Sequence, residues 1–519
     1  MPELSSAVYA GATVASLYRH AFKSSPQATA IVSEDGVALS YAELESLCTR
    51  FARLLRAQGL QRQDAVALLT GNRAEAIAAA IAAQFIGAKV VSLHPLASEE
   101  DHTFVLRDAQ VKAVVADATQ YAQRAQAFSA QGFTVLPLDD GALGAGLCTA
   151  AQSVDPADFP VEAQAQEITK LGYSGGTTGK PKGILHAHRT TVTMLLQMLA
   201  TYEWPQAVRY LVATPISHAA GTFLLPTLLR GGTVYLLQKY TAESFLRCVE
   251  QHRITFSFLV PTQIYGLLDS PALAEHDVSS LSLVLYGAAP MAPARLQQAL
   301  ENIGPVFGQI YGQAEAPMCI TYLSKQDHAR PELLASCGKV IFGNEVKLLD
   351  ANAREVPTGE IGELCVRSPL VMQGYLNRPE ENAKVFAHDW LHTGDMARMD
   401  EAGYLYIVDR AKDMIISGGF NVYPSEVENC LAQHPDVAVS AVIGVPDDKW
   451  GEAVTAVVVR KAGATVSEAD IIAYVTQKKG VVNAPKTVVF ADEIPLTALG
   501  KIDRKAIRRS YWANRDRQV

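Results

Sequence analysis

A chain of 519 residues exceeds one compact core, and at about 150 residues per domain it suggests roughly three units. Hydrophobic residues at 49% against 19% charged fit a globular protein and exclude a disordered one. With 45 Lys and Arg against 53 Asp and Glu, the net charge of −8 favours neither nucleic acid nor an anionic membrane.

The segment from Met1 to His20 has no basic stretch followed by an apolar run, so no signal peptide is expected. Strands are expected at Ala65–Leu69, Lys89–Leu93, Ala113–Ala116 and Phe133–Leu136, with a helix over Ala74–Ala88. The most apolar stretch, Ala76 to Leu93, is interrupted by Gln84 and Lys89 and reads as a buried helix and strand, not a membrane span. After the Pro- and Asp-containing stretch Val154–Pro160 the pattern resumes. Strands at Tyr210–Ala213, Thr233–Leu237, Thr255–Val260 and Leu283–Tyr286 alternate with helices over Ala219–Leu229 and Ala242–His252. Short apolar strands alternating with helices predict two stacked α/β subdomains, about 1–165 and 166–335, with mostly parallel sheets.

The character changes over 336–411. Strands at Glu345–Leu349, Gly362–Arg367 and Tyr404–Val408, separated by turns, suggest a small β-barrel or distorted sheet. The remainder, 412–519, reads as a small α+β domain. Its expected helices are Ser425–Gln433 and Ser467–Gln477, and its strands Val437–Ile443, Val454–Arg460 and Thr487–Phe490. The basic C-terminal run, including Arg504, Lys505, Arg508 and Arg509, reads as a solvated helix face. Seven scattered cysteines (Cys48, Cys148, Cys248, Cys319, Cys337, Cys365, Cys430) show no metal-binding spacing and suit a reducing cytoplasm.

The most informative segment runs YSGGTTGKPKG from Tyr173 to Gly183. Ser174, Thr177 and Thr178 supply hydroxyl donors, Gly175, Gly176 and Gly179 allow close backbone approach, and Lys180 and Lys182 add positive charge. That combination suits a phosphate group. A Walker A loop would need Gly at 174 and Ser or Thr at 181, where this chain has Ser174 and Pro181.

Here the sequence resembles the adenylate-forming superfamily of acyl- and aryl-CoA synthetases, luciferases and peptide-synthetase adenylation domains, with further signatures in the expected order. The segment Tyr286, Gly287, Ala288, Ala289, Pro290 resembles the adenine-binding segment. The segment from Tyr311 to Glu315 resembles that of an adenine-stacking tyrosine and a Mg²⁺-holding glutamate. His392 to Asp395 is similar to the segment whose aspartate grips the ribose. Asp409 to Asp413 is similar to that of a ribose-contacting arginine, here Arg410, and of the hinge, here Lys412. Pro495 to Lys501 resembles the segment of the catalytic lysine.

The resemblance implies ATP and Mg²⁺ as cofactors. Lys501 would bridge carboxylate and phosphate during adenylation, after which 412–519 swings about Lys412. Ser417, Gly418 and Gly419 would then line the acceptor tunnel, with Trp450 against the CoA nucleotide. His218, in Pro215-Ile-Ser-His, would border the acyl pocket. Expected pocket residues are His218, Ala220, Gly221, Phe223, Leu224, Gly287, Gly312, Pro317 and Met318, an apolar and uncharged lining for a hydrophobic monocarboxylic acid.

Three departures stand out: Gly175 in place of serine, Ala314 in place of threonine, and Val482-Asn-Ala-Pro485, where CoA ligases often carry an aromatic or basic residue. The expected acceptor is CoA. An amine, as in coronafacate-type amide ligases, and a carrier protein remain open, as do monomer and homodimer.

Overall fold

The protein is represented by a computed structural model that describes residues 11–174, 181–410, 413–417, 420–447, 449–497 and 502–512. Gly175 to Lys180, Lys412, Gly418, Gly419 and Lys501 therefore lie outside the described residues.

Two large mixed sheets dominate. In one, seven strands run in the order Gly374–Tyr375, Lys182–Ala187, Ile168–Ser174, Lys89–Ser92, Ala65–Leu69, Val111–Ala116 and Val135–Pro137. In the other, nine strands run from Lys339–Val340 through Thr321–Leu323, Phe307–Tyr311, Leu283–Tyr286, Phe256–Leu259, Arg209–Val212 and Thr233–Leu236 to Thr29–Val32 and Ala38–Ser40. Most neighbours are parallel, as the short, continuously apolar strands require.

Helices Val14–Ser24, Tyr41–Ala57 and Ala74–Phe85 supply buried residues to a single core that also takes inward side chains from both sheets, such as Val66, Val90 and Ile184 from one and Val212, Phe256 and Leu285 from the other. Tyr41–Ala57 begins in a capping box, with Glu43 N–H donating to Ser40 Oγ and Ser40 N–H donating to Glu43.

Sheet membership corrects the expected division near residue 165. Thr29–Val32 pairs in parallel with Thr233–Leu236, and Ile168–Ser174 pairs in parallel with Lys89–Ser92. The N-terminal strand thus serves the second sheet and the strand leading to the phosphate loop serves the first. The helix expected over Ala219–Leu229 is two pieces, Ala219–Thr222 and Leu224–Leu229. Pro226 has no N–H to donate to Thr222, so the turn breaks at Phe223.

The third unit is an antiparallel sheet of Glu345–Leu349, Gly362–Arg367, Leu391–Met399 and Leu405–Arg410, open among the described residues and not a closed barrel. The C-terminal unit packs helices Pro424–Leu431 and Glu468–Asn483 on a sheet built around the paired strands Val437–Asp447 and Gly451–Arg460. Its last helix, Arg504–Trp512, is less solvated than expected: Arg504 pairs with Glu428 at 2.5 Å and Arg508 with Asp413 at 3.5 Å, while Lys505 and Arg509 stay exposed. No helix among the described residues is long and apolar enough to cross a membrane.

Candidate active site

Strands Ile168–Ser174 and Lys182–Ala187, which flank the glycine-rich segment in sequence, are antiparallel, with Ser174 opposite Lys182. Lys182 forms an ion pair with Glu381, and its ammonium lies 5.2 Å from the centre of the Tyr375 ring. Tyr375 in turn donates its hydroxyl to Glu315 Oε1 at 2.8 Å. A contact chain therefore runs from the base of the phosphate loop to the expected metal ligand. The second Glu315 oxygen has no hydrogen-bond partner among the described residues, and the residue is half-buried. A carboxylate held by one oxygen and open at the other fits a hard cation such as Mg²⁺.

The segment from Tyr311 to Gln313 leaves the nine-stranded sheet beside Gly287. A Cβ at Gly287 would collide with the Ile310 carbonyl, and one at Gly312 with the Met318 backbone, so both glycines permit close backbone packing. Ala288 and Ala289 follow at the strand end, where Ala288 takes a left-handed φ of 68° and Pro290 is exposed.

Asp395 is the centre of this group. It is 4% exposed and accepts from Tyr311 Oη at 2.7 Å, Gln313 Nε2 at 2.6 Å and Arg410 Nε at 2.8 Å. Its strand neighbour across the antiparallel pair is Arg410 itself. With its hydroxyl anchored and pushed far above its ordinary pKa by burial and by Asp395, Tyr311 presents a fixed ring. The turn holding Asp395 is braced from behind. Glu363 accepts the Gly394 N–H at 2.9 Å and faces His392 Nδ1 at 2.8 Å, and His392 Nε2 donates to the Ala387 carbonyl at 3.1 Å. Those bonds commit the Glu363, Cys365 and His392 cluster to structure.

His218 caps the short helix Ala219–Thr222, and its Nδ1 lies 2.8 Å from Ser217 Oγ. Its ring meets His94 edge-on at 4.4 Å. Burial lowers its pKa to about 3, with smaller contributions from His94 and Lys170, so the imidazole is neutral at physiological pH. Asn72 fixes the loop before it, donating to the carbonyls of Leu237 and Thr214 and accepting from Ile216 N–H.

Among the expected pocket residues, Ala220 and Leu224 are buried, and Gly221, Pro317 and Met318 are partly open. Phe223 is as fully buried as Ala220, and its ring has Trp204, Tyr210, Phe256 and Phe258 around it. Gly221 is sterically required, because a Cβ there would run into the Ile216 carbonyl oxygen. Gly221→Ala should therefore lower stability by about 1–3 kcal/mol and depress turnover. An unchanged thermal midpoint would show that the His218 loop yields without strain.

Ser417 and Trp450 stand side by side in the C-terminal unit, Ser417 pairing with Gly451. No hydrogen bond joins them to the Asp395 group among the described residues. Several residues with site contacts were not legible as such in the sequence: Gln313, Tyr375, His94, Lys170 and Lys486. Gln313 was within reach, lying between two assigned neighbours. Tyr375 carries no local signal, since its role depends on a two-residue strand pairing with Ile184.

Comparison with known proteins agrees with this arrangement. Residues 18–376 match the model of the AMP-binding enzyme family, and residues 426–501 match that of the AMP-binding enzyme C-terminal domain. The medium/long-chain-fatty-acid–CoA ligase FadD8 of Mycobacterium tuberculosis is 43% identical over 498 residues, covering 93% of this chain and 87% of that protein. A feruloyl-CoA synthase from Amycolatopsis is 38% identical over 489 residues, covering 94% and 96%. Among solved structures, the amide bond synthetase McbA from Marinactinospora thermotolerans superposes with a TM-score of 0.89 at 33% identity, covering 96% of this chain and 100% of that one. With the adenylation motifs converging in space and both family models matching in sequence, the chain belongs to the AMP-binding enzymes, the adenylate-forming superfamily.

Proposed function

We propose that this enzyme is an ATP-dependent, AMP-forming acid–CoA ligase for a predominantly hydrophobic carboxylic acid. The observation that carries the reading is the Asp395 cluster, in which motif residues more than 80 positions apart share one carboxylate. Asp395 and Arg410 would hold the ribose, and the Tyr311 ring would stack on adenine. Glu315 would hold Mg²⁺, which when bound shields the charge of the polyphosphate. Ser174, Gly175, Gly176, Thr177, Thr178, Gly179, Lys180 and Lys182 would cradle the phosphates.

The carboxylate and the α-phosphate repel each other, so their approach needs a cation between them, and Lys501 would supply it. Attack by the carboxylate oxygen on the α-phosphorus expels pyrophosphate and leaves an acyl-AMP. Neutral His218 would then border the acyl group without adding a competing charge. Attack by a thiol at the acyl carbon releases AMP.

The acceptor reading draws on Trp450. Lys449 lies 4.9 Å and Lys486 5.3 Å from its ring centre, so two ammonium groups flank one indole. An aromatic platform with paired cations suits an adenine nucleotide bearing phosphates. Lys486 also supplies the basic residue that Val482 to Pro485 lack. The names of the relatives, which act on medium/long-chain fatty acids and form feruloyl-CoA, agree with a hydrophobic acid.

Likeness to McbA keeps the amide-forming reading as the alternative. Pyrophosphate exchange with a panel of acids should reveal adenylation, and adding CoA should yield a thioester. Product formed with amines but not with CoA would replace the leading reading by the second.

A further inference from the structure

Lys170 is the charged residue that the expected pocket does not account for. Side chains alternate across a strand, so Lys170 and Gly172 share one face of Ile168–Ser174, while Leu171 lies on the other. Register identifies the face. Lys170 stands opposite His186 and Val90, and Gly172 opposite Ile184; Val90 and Ile184 belong to the core between the two large sheets. Lys170 therefore points inward, toward the second sheet.

Nothing receives its charge. The Lys170 ammonium has neither a hydrogen-bond acceptor nor a carboxylate partner among the described residues. Its titratable neighbours are His186 and His218, both held neutral by burial, and the Lys170 charge presses each further toward neutrality. An ammonium largely withdrawn from water without a partner is costly, and lysine pKa falls in response, as it does here.

The space in front of Lys170 is also unfilled. A Cβ built on Gly172 would meet no atom of the described residues within 4 Å, although its strand partner Ile184 is fully buried. Ser92, His94, Lys170, Gly172 and His218 are all partly open, although Ser92, Lys170 and Gly172 come from the inward face of a covered sheet. Together they outline an internal recess with a cation in one wall, adjoining the His218 loop.

We propose that Lys170 is a specificity-determining residue that receives a second oxygen acceptor on the acid, a ketone or carboxylate apart from the carboxylate that is activated. The inference rests on the acid-ligase reading above and narrows its substrate class to hydrophobic acids bearing one such group. A lone ammonium beside neutral imidazoles rewards a ligand that supplies an acceptor and penalises one that does not, because the charge then stays unpaired.

The test measures kcat/KM for pyrophosphate exchange on matched acids of one length: the plain acid, its oxo derivative and the corresponding dicarboxylic acid. The wild type should prefer one of the oxygenated acids by about 10-fold or more. Lys170→Met keeps an unbranched chain of similar size. It should cut exchange with that acid by about 100-fold and leave the plain acid within a few-fold. Its thermal midpoint should hold or rise, since an unpaired buried charge is gone. Lys170→Gln separates the two acceptors, because it can still donate to a ketone but cannot balance a carboxylate. Equal loss on all three acids would assign Lys170 to the activated carboxylate and overturn the proposal. So would a wild type indifferent to the second oxygen. Absence of exchange with every acid would instead bring down the ligase reading itself.

Discussion

Replacing Lys501 by alanine should slow acyl-adenylate formation by about 1000-fold, yet leave thioester formation from supplied acyl-adenylate within a few-fold. The asymmetry follows from charge. In the first half-reaction a carboxylate must approach a phosphate, and on the proposed reading the lysine neutralises both. In the second, a thiol attacks a mixed anhydride whose leaving group, AMP, is already stable, and the cation has little left to do. The surroundings are suited to presenting such a residue. Among the described residues on either side of it, Asp503 N–H donates to the Pro495 carbonyl at 2.8 Å and Leu496 bridges Ile502. The helix that follows, Arg504–Trp512, is pinned by Arg504 to Glu428. Pyrophosphate exchange and single-turnover thioester formation, measured on the same variant, decide the matter. Equal loss in both would mean that Lys501 serves one fixed site throughout.

A second large effect is expected in acid. His186 and His188 have pKa values lowered to about 4, and His218 to about 3, in each case chiefly by burial. In the unfolded chain the same groups titrate near 6.5. Because the folded values are depressed, the stability they contribute is fully present above pH 6.5. It falls as pH drops toward 4, where the unfolded chain takes up protons that the folded one refuses. At pH 5 each withheld proton is worth about 2 kcal/mol, or about 6 kcal/mol for three, a large part of an ordinary domain's stability. Local contacts agree with neutral rings. His188 Nδ1 accepts the Val14 N–H at 3.1 Å, which a protonated nitrogen could not do, and His186 donates from Nε2 to the Ala314 carbonyl at 2.7 Å. Thermal midpoints recorded between pH 7 and pH 5 should fall steeply, with the slope reduced in His188→Gln. A flat profile would mean that these rings are hydrated in solution.

Much of the fold was legible because it is local. Ala65–Leu69, Leu283–Tyr286, Gly362–Arg367 and Thr487–Phe490 are runs of apolar residues bounded by turns, and they form strands over those same spans. Their partners were not legible, because pairing Thr29–Val32 with Thr233–Leu236 depends on the whole chain having collapsed. The capping-box helix Tyr41–Ala57 carried a local signal, Ser40 followed by Glu43, that strand alternation alone does not register. Site residues divide the same way. Asp395, Arg410 and Glu315 stand in motifs that resemble those of the adenylate-forming superfamily. Lys170 sits in a strand of mixed character, and only the covering of both sheet faces reveals which way it points. Lys486 follows immediately after the stretch that lacked a basic residue, so its approach to Trp450 emerges only in three dimensions.

The last strand of the third sheet carries one further lesson, for anyone recombining these enzymes. Adjacent residues on a strand face opposite ways, and here Arg410 turns to Asp395 while Asp409 accepts the Ser425 N–H at 2.8 Å, at the start of the helix Pro424–Leu431. One peptide bond thus belongs to two units at once. A chimera joined just past Arg410 would take Asp409 from one parent and Ser425 from the other. Joined before Leu405, it would instead inherit the whole seam from a single parent, and a seam inherited whole needs no refitting.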